Sequence, residues 1–333
     1  MKKLIPVLLI IALSVVSLSS CQKKDSNLTT VRLSEVAHSI FYAPQYVAIE
    51  LGYFEEEGLD LELVTSYGAD KVMTALMSNE ADIGFMGSES SIYVYAEGAS
   101  DYVVNFAQLT QRAGNFLVSR TPQPDFTFDN LKNTSVLGGR TGGMPEMVFE
   151  YILKSKGINP ETDLSIDKNI DFGLTAEAFM SGQGDYTVEF EPYATMLEGQ
   201  GYGYIVASLG VESGYVPYTA YCAKSSYFAD NAEVIEKFTR ALQRGMDYVN
   251  THTAAEIANV IAPQFPDTSI DTIATIVERY NSQDTWNTNL IFTEESFTLL
   301  QDILISSGEL NDYVPYDKLV NTEFASKVLT PEQ

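Results

Sequence analysis

Short apolar runs alternate with amphipathic stretches along most of the chain, beginning at Val31. Apolar runs bounded by turn residues are typical of buried strands, and apolar residues spaced three and four positions apart are typical of helices. The alternation predicts an α/β fold in which helices cover the faces of the sheets.

Two series of elements follow one another, separated by a break that contains Pro122 and Pro124. In the first series we predict strands at 31–36, 59–64, 83–85 and 102–109, with helices at 44–51, 69–77 and 88–95. In the second series we predict strands at 131–137, 165–167, 186–190 and 204–207, with helices at 145–155, 175–181 and 193–197. A strand at 218–223 then returns to the first series, and mainly helical sequence follows from Asn231.

This order predicts two lobes. The first lobe comprises residues 31–118 and 222–333, and the second comprises residues 119–221. Two crossovers are expected, near Leu117–Arg120 and near Val216–Tyr221. The helical tail is expected to pack onto the first lobe.

The first thirty residues are expected to form a targeting signal followed by a tether. Lys2 and Lys3 precede an apolar run that is short for a membrane span but suits a secretory signal, so residues 1–20 are expected to be removed. The run ends in Leu-Ser-Ser-Cys, which resembles a bacterial lipobox. That resemblance implies a diacylglycerol on Cys21, with residues 21–30 as a flexible tether. The alternatives are an ordinary signal peptide that ends at a cysteine and an uncleaved anchor.

Composition excludes several classes of function. The formal net charge of −25 argues against nucleic acid or an anionic membrane surface as a partner. Two cysteines cannot build a disulfide framework if one is lipidated, and Cys222 is expected to be a small buried residue. His38 and His252 are the only histidines, so neither a metal site nor a catalytic triad is expected, and no cofactor or enzyme activity is predicted.

Four spaced motifs make the reading more specific. They are APQYVAIELGYF at 43–54, ADIGF at 81–85, GGMPE at 142–146 and FEP at 190–192. In this order they resemble the NMT1/THI5-like group of periplasmic solute-binding proteins, and the resemblance covers nearly all of residues 31–326. That group includes binding components for sulfonates, nitrate, thiamine-precursor pyrimidines and riboflavin.

The resemblance implies a periplasmic-binding-protein-like clamshell of type II with two crossover hinges. Such a clamshell closes over one small molecule and presents it to the permease and ATPase of an ABC importer. A monomer held at the extracytoplasmic face of the cell membrane by its N-terminal lipid would follow.

Loops after strands of the first lobe offer candidate ligand contacts, because ligands of open α/β sheets bind beyond the carboxyl ends of the strands. Phe41 and Tyr42 are suited to stacking a planar ligand, unless they belong to the core, and Ser88 is either a contact or only a helix cap. The candidates of this lobe and of the first crossover are His38, Ser39, Phe41, Tyr42, Gly87, Ser88, Gln108, Arg112 and Asn115.

The second lobe adds a glycine-rich loop, Gly138–Gly143, that opens a helix and has free N–H groups for an anion or a polar ligand edge. A carboxylate at Glu189 or Glu191 would accept hydrogen bonds from amino groups and repel anions, unless both lie on a solvated edge. The candidates here and in the aromatic wall are Arg140, Thr141, Gly142, Gly143, Glu189, Glu191, Tyr218 and Trp286, of which Trp286 is equally suited to the core.

Three hypotheses follow. The first is a lipoprotein that binds a small planar nitrogen-containing nutrient, such as a thiamine-precursor pyrimidine, for an ABC importer. The second keeps this role but assigns a sulfonate or nitrate-type anion as ligand. The third is a surface enzyme or sensor domain on the same fold; the yeast enzyme of the group relies on a cysteine-rich motif that is absent here.

Overall fold

A computed structural model describes residues 28–171 and 173–329. The predicted signal segment, Cys21 and most of the predicted tether lie outside the described residues. The first strand begins at Thr29, so the last two residues assigned to the tether belong to the folded body.

The strands are, in chain order, β1 (Thr29–Glu35), β2 (Leu59–Thr65), β3 (Ile83–Gly87), β4 (Val103–Thr110), β5 (Asn115–Ser119), β6 (Ser135–Leu137), β7 (Ser165–Asp167), β8 (Tyr186–Phe190), β9 (Tyr204–Ser208) and β10 (Thr219–Lys224). The helices are α1 (Ala43–Glu50), α2 (Tyr53–Glu56), α3 (Ala69–Met77), α4 (Glu89–Ala96), α5 (Met144–Ser155), α6 (Thr175–Met180), α7 (Tyr193–Gly199), α8 (Leu209–Ser213), α9 (Ser225–Asp230), α10 (Ala232–Thr251), α11 (Ala254–Ile261), α12 (Ile270–Ser282), α13 (Glu294–Ser307), α14 (Tyr316–Leu319) and α15 (Glu323–Lys327).

These strands form two five-stranded sheets, one in each lobe. The first sheet has the order β2-β1-β3-β10-β4, and the second has the order β7-β6-β8-β5-β9. In each sheet four strands run in the same direction, and the returning strand, β10 or β5, is antiparallel to both of its neighbours. The predicted α/β fold with two lobes is confirmed.

Most predicted elements agree with the structure to within one or two residues. The strand predicted at 131–137 is an exception, because only Ser135–Leu137 is extended. The preceding residues form a short 3-10 turn, Phe128–Leu131, which begins with a capping box between Thr127 and Asn130.

The crossovers lie earlier in the chain than predicted. Asn115–Ser119 is the strand between β8 and β9, not a connection, so the first crossover is 111–114. The second includes α8 and ends before Thr219, where β10 begins to pair with β3 and β4. The predicted lobe boundaries at 118 and 221 are therefore wrong by a few residues, because both apolar runs belong to sheets.

The two crossovers run side by side and are fastened to each other. The N–H of Val216 donates to the carbonyl of Gln111 at 2.9 Å. Helix α12 holds the first crossover: the Tyr280 hydroxyl donates to the carbonyl of Gly114 at 3.0 Å, and Gln283 Nε2 donates to that of Ala113 at 3.2 Å. Because both crossovers and α12 share these bonds, they form one hinge.

The helical tail contacts both lobes, which corrects the expectation that it packs onto the first lobe alone. Helix α10 lies against α1, so closely that a Cβ on Gly245 would lie 2.2 Å from the carbonyl oxygen of Pro44. Helix α13 packs on α5 of the second lobe, where Lys154 Nζ donates to the carbonyl of Ser306 at 2.8 Å. Within the described ranges, no helix has the length and apolar character needed to cross a membrane.

Candidate ligand-binding cleft

A cleft of about 810 Å³ lies between the lobes. The loops after β1 and β3 form its first-lobe wall, and the segment 139–145, the end of β8 and helix α7 form its second-lobe wall. The loop that leads into α12 adds Gln264–Ser269 at one side. Its size suits one small molecule in contact with both lobes.

Many of the predicted ligand residues line this cleft. They are His38, Ser39, Tyr42, Gly87, Asn115, Arg140, Gly143, Glu189, Glu191 and Tyr218. The structure thus brings together residues that are far apart in the sequence. Ligand binding by these side chains remains a prediction.

The remaining predicted contacts lie outside the cleft lining, and packing explains two of them. The ring of Phe41 is buried against Tyr280, and the indole N–H of Trp286 donates to the carbonyl of Phe41 at 2.9 Å, so both residues belong to the core. Ser88 is tied to the second crossover, because its hydroxyl donates to the carbonyl of Pro217 at 2.6 Å.

Two more predicted ligand contacts, Gln108 and Arg112, bond instead to protein groups near the hinge. Gln108 is buried, and its Nε2 donates to the carbonyl of Thr110 at 3.2 Å. The guanidinium of Arg112 lies over the ring of Tyr215 and donates to the carbonyl of Gly210 at 3.2 Å. These side chains therefore brace the crossovers.

In the glycine-rich loop, Thr141 and Gly142 are also absent from the cleft lining. The N–H of Gly142 donates to Glu146 Oε2 at 3.2 Å, and its carbonyl accepts from the Tyr93 hydroxyl at 3.1 Å. Glu146 is in turn paired with Lys168 at 2.7 Å. An N–H group predicted to serve an external anion is therefore satisfied by a carboxylate of the protein.

His38 lines the cleft with both ring nitrogens already in use. Nδ1 lies 2.9 Å from Glu35 Oε1, and Nε2 lies 2.8 Å from the carbonyl oxygen of Gln264. Burial lowers the pKa of His38, but its bonds to these two acceptors outweigh burial and raise that pKa above its usual value. His38 thus favours the imidazolium form and ties the first lobe to the tail.

Ser39 and Glu191 close the cleft at one side. The Ser39 hydroxyl donates across the lobes to the carbonyl of Glu191 at 2.7 Å. The Glu191 carboxylate is fully buried, pairs with Arg279 and accepts two hydrogen bonds from Thr195. Burial raises the pKa of Glu191, while the charge of Arg279 opposes that rise. Both carboxylate oxygens are occupied, so Glu191 is suited to joining the lobe and the tail.

Glu189 faces the same cleft without a cation. Its carboxylate accepts from the hydroxyls of Thr175 at 3.1 Å and Thr187 at 2.6 Å, and the residue is 3% exposed. Within the described residues no Lys, Arg or His pairs with it. Burial raises its pKa to about 7, although the two threonines lower it.

Glu89, which the sequence reasoning missed, is a second buried carboxyl of the cleft. It begins α4, is 2% exposed and has one carboxylate oxygen, Oε2, without a hydrogen-bond partner among the described residues. Burial raises the pKa of Glu89 to about 7, opposed by hydrogen bonds from its own N–H and from that of Met144 across the cleft. Acidic residues are common in first helical turns, so sequence position gave no signal.

Asn115 and Tyr218 complete the polar wall. The Tyr218 hydroxyl donates to Asn115 Oδ1 at 2.5 Å, which fixes the amide so that Nδ2 is its remaining polar atom. Asn115 is 1% exposed, and Nδ2 has no partner within the part of the chain that the structure describes. A buried unsatisfied donor is costly, so a ligand acceptor there would be favourable.

Aromatic rings surround these polar groups. Tyr42 and Tyr218 were predicted, whereas Tyr193, Phe190 and Phe265 were not. Phe190 ends β8, Tyr193 begins α7 and Phe265 lies between α11 and α12, and none of these positions marks an aromatic residue as a ligand contact in the sequence. Rings of this kind are suited to a flat ligand. Within the described ranges no group of three or more His, Cys, Asp or Glu side chains could hold a metal ion.

Comparisons with known proteins agree with this architecture. The model of a family described as "NMT1/THI5 like" matches residues 40–255. The chain is 48% identical over 312 residues to YtlA of Bacillus subtilis (strain 168), which carries the name of a binding protein; the match covers 94% of this chain and 93% of that protein.

Two more distant proteins are also similar. A 4-amino-5-hydroxymethyl-2-methylpyrimidine phosphate synthase of Aspergillus parasiticus is 24% identical over 226 residues, 65% of each chain. The structure of the alkanesulfonate-binding protein SsuA from Xanthomonas axonopodis pv. citri, bound to MOPS, superposes with a TM-score of 0.72 at 14% identity, covering 88% of this chain and 98% of that one. This second likeness establishes the fold.

Proposed function

The chain belongs to the NMT1/THI5-like family, and on this premise we propose that it is the substrate-binding component of an ABC importer. Its ligand is a small planar nitrogen-containing nutrient of the thiamine-precursor pyrimidine type. The clamshell takes up this ligand outside the cytoplasm and delivers it to the permease and ATPase. Closure of the two lobes around the ligand is the mechanism, because its contacts come from both lobes.

The observation that carries the ligand class is the carboxyl of Glu189. It faces the cleft, is buried, and has two threonine hydroxyls as partners instead of a cation. A buried carboxylate without a counter-charge is unfavourable, so a ligand that brings an amino group or a positive charge gains the interaction that the protein leaves open. Glu89 adds a second buried carboxyl to the cleft.

The aromatic lining supports a flat ligand. Tyr42, Tyr193 and Phe265 line the cleft together with the two carboxyls. A heteroaromatic ring offers large faces for such side chains, while its amino substituents lie in the ring plane and reach acceptors at the edge. An aminopyrimidine combines both properties in a molecule that fits the cleft volume.

The anion hypothesis has weaker support. The N-terminus of α5 would be the natural site for a sulfonate, yet Glu146 accepts from Gly142, and the N–H of Met144 lowers the pKa of the Glu89 carboxyl. Arg140, a cation of the cleft wall, already pairs with Asp70 at 3.3 Å. An anion would meet the buried carboxyls of Glu89 and Glu189, neither of which forms an ion pair within the described residues.

Calorimetry at neutral pH tests the ligand class. We expect 4-amino-5-hydroxymethyl-2-methylpyrimidine to bind, and ethanesulfonate and nitrate not to bind. Glu189→Gln should weaken the pyrimidine by more than about tenfold, because a hydrogen bond to a charged group contributes about 1.5–3 kcal/mol. Glu161→Gln is the matched control: it removes an exposed carboxylate of the second lobe that does not line the cleft, and it should leave the affinity unchanged.

Each outcome separates the hypotheses. Binding of ethanesulfonate or nitrate without the pyrimidine would favour the anion hypothesis, and no binding of any probe would contradict the ligand class. Release of a chemically altered pyrimidine from the wild-type protein would instead identify an enzyme.

We also propose that Cys21 carries the lipid that anchors the protein. Replacing Cys21 with serine is expected to move the protein from the membrane fraction to the soluble fraction, since the acyl chains supply the membrane affinity. The measurement is fractionation together with mass spectrometry of the N-terminal peptide. Cys222→Ser, a change at the buried cysteine, is the control and should stay in the membrane fraction. Membrane retention of Cys21→Ser without lipid would refute the anchor.

A further inference from the structure

The N-terminus of α5 has the features of an anion site, but a carboxyl of the protein itself lies there. Gly143 caps the helix, Met144 and Pro145 form its first turn, and all three line the cleft. The N–H groups of a first helical turn lack partners within the helix and attract negative charge. Here Glu89 approaches them from the first lobe: Tyr93, one turn further along α4, donates to the carbonyl of Gly142 at 3.1 Å, and the N–H of Met144 lowers the pKa of the Glu89 carboxyl.

Glu89 uses only part of its carboxylate in this way. Its Oε2 is buried and without a partner among the described residues, at a position that lines the cleft. This oxygen packs against the backbone of Gly87, where a Cβ would lie only 2.1 Å from it. A group in the cleft that carries an N–H is therefore the natural partner.

Asn115 supplies the opposite hydrogen-bonding character nearby. Its Oδ1 is held by Tyr218, and Nδ2 is a buried donor without a partner within the described chain. Tyr218 lies beside the segment that carries Glu89, since Thr219 pairs with Gly87 and the Ser88 hydroxyl donates to the carbonyl of Pro217. The wall of the cleft thus holds one unpaired acceptor and one unpaired donor, both buried.

We propose that Glu89 is the specificity-determining residue of the cleft. Its carboxyl occupies the start of α5, as a resident anion whenever it is ionised, and excludes sulfonates and nitrate from that position. Together with Asn115 it recognises a ligand edge on which an N–H donor stands beside a lone-pair acceptor, the N–C–N edge of a 4-aminopyrimidine. This inference rests on the proposed function and deepens it, because it names the edge of the ligand that is read.

The test compares two probes that differ at this edge. The first is 4-amino-5-hydroxymethyl-2-methylpyrimidine, and the second is its 4-oxo analogue, which replaces the amino donor by a carbonyl acceptor. For the wild-type protein, calorimetry should show at least about a hundredfold preference for the amino compound, since a buried acceptor facing a carbonyl loses its partner. In Glu89→Gln, whose amide can also donate, the preference should fall at least about tenfold.

A smaller side chain should uncover the anion site. Glu89→Ser frees the N–H groups of α5 and removes the resident charge, so ethanesulfonate is expected to bind to this variant and not to the wild-type protein. Glu146→Gln is the matched control, because it also removes a carboxylate from the first turn of α5 but does not line the cleft. Its preference between the two pyrimidines should equal that of the wild type.

Failure of this inference can be distinguished from failure of the proposed function. If the wild type prefers the amino compound and folded Glu89→Gln keeps that preference within about twofold, the role of Glu89 is refuted while the ligand class stands. Binding of ethanesulfonate by the wild type refutes the resident anion directly. If neither pyrimidine binds, both proposals fail.

A second variant tests the same proposal independently if Glu89→Gln does not fold. Asn115→Asp turns the free donor into an acceptor and is expected to weaken the amino compound at least about tenfold, with circular dichroism and a thermal melt as checks of folding. Unchanged affinity of folded Asn115→Asp would remove Asn115 from the recognised edge.

Discussion

Lowering the pH from about 8 to about 5 should stabilise the ligand-free protein, whereas acid usually destabilises a protein rich in carboxylates. The pKa of Glu89 and that of Glu189 are both about 7 in the folded state, well above the usual value for glutamate. Between the usual glutamate pKa and about pH 7, the folded protein keeps protons on these two carboxyls that the unfolded chain has lost. The free energy of unfolding therefore falls as the pH rises through this interval.

The expected size is up to about 3 kcal/mol for each carboxyl, because one pKa unit corresponds to about 1.4 kcal/mol. The raised pKa of His38 acts in the same direction, since its imidazolium form is lost as the pH rises. Below the usual glutamate pKa the trend should reverse, because carboxylates with a lowered pKa, such as Glu150 and Asp185, then become protonated.

Urea unfolding at a series of pH values measures this effect. The double variant Glu89→Gln/Glu189→Gln is expected to flatten most of the slope between about pH 5 and about pH 7. The exposed pair Glu161→Gln and Glu295→Gln removes the same charge and should leave the slope as it is. A wild-type curve that rises with pH over this interval would mean that the two carboxyls are ionised at low cost, and would remove the argument for an amino-bearing ligand.

Replacing Arg279 with methionine should give the second large effect, a loss of about 3 kcal/mol in the free energy of unfolding. The change leaves the carboxylate of Glu191 buried with only the Thr195 hydrogen bonds, and an unpaired buried charge is expensive. The N–H and hydroxyl of Thr195 then remain as the carboxylate's partners, while α12 loses its tie to the second lobe.

Arg140→Met is the matched control for this prediction. Arg140 also pairs with a carboxylate of another lobe, that of Asp70, but the two side chains are 43% and 56% exposed. Exposed pairs contribute less than about 1 kcal/mol, so this variant should be close to wild type. Equal losses in the two variants, measured by urea unfolding, would show that burial of the Glu191 pair does not decide its contribution.

The sequence predicts the architecture well because each lobe repeats simple patterns. The strand at 186–190 and the helix at 69–77 coincide with β8 and α3, since turn residues and apolar runs mark their ends. Asn115–Ser119 was assigned in part to a crossover, because a short apolar run after a strand has no local mark that distinguishes a connection from a central strand. Pairing with β8 and β9, which come later in the chain, decides it.

The cleft was predictable in outline and not in its chemistry. Residues after strand ends, such as Tyr42 and Glu189, do line it, in keeping with the geometry of α/β sheets. Whether a polar atom lacks a hydrogen-bond partner depends on residues distant in sequence. The carbonyl of Gln264 contacts a ring nitrogen of His38, and Arg279 forms an ion pair with the carboxylate of Glu191. No local pattern reveals such occupancy, so the free oxygen of Glu89 went unnoticed.

Trp286 gives the molecule an optical label of its own. It is the only tryptophan of the chain, lies 4% exposed beside the ring of Tyr280, and pairs with Thr110 at the end of β4, where the first crossover begins. Its indole N–H is bound to the carbonyl of Phe41, in the loop that leads to the cleft. Fluorescence excited selectively in tryptophan therefore comes from a single point at the hinge, so opening and closing can be timed in solution without attaching a dye.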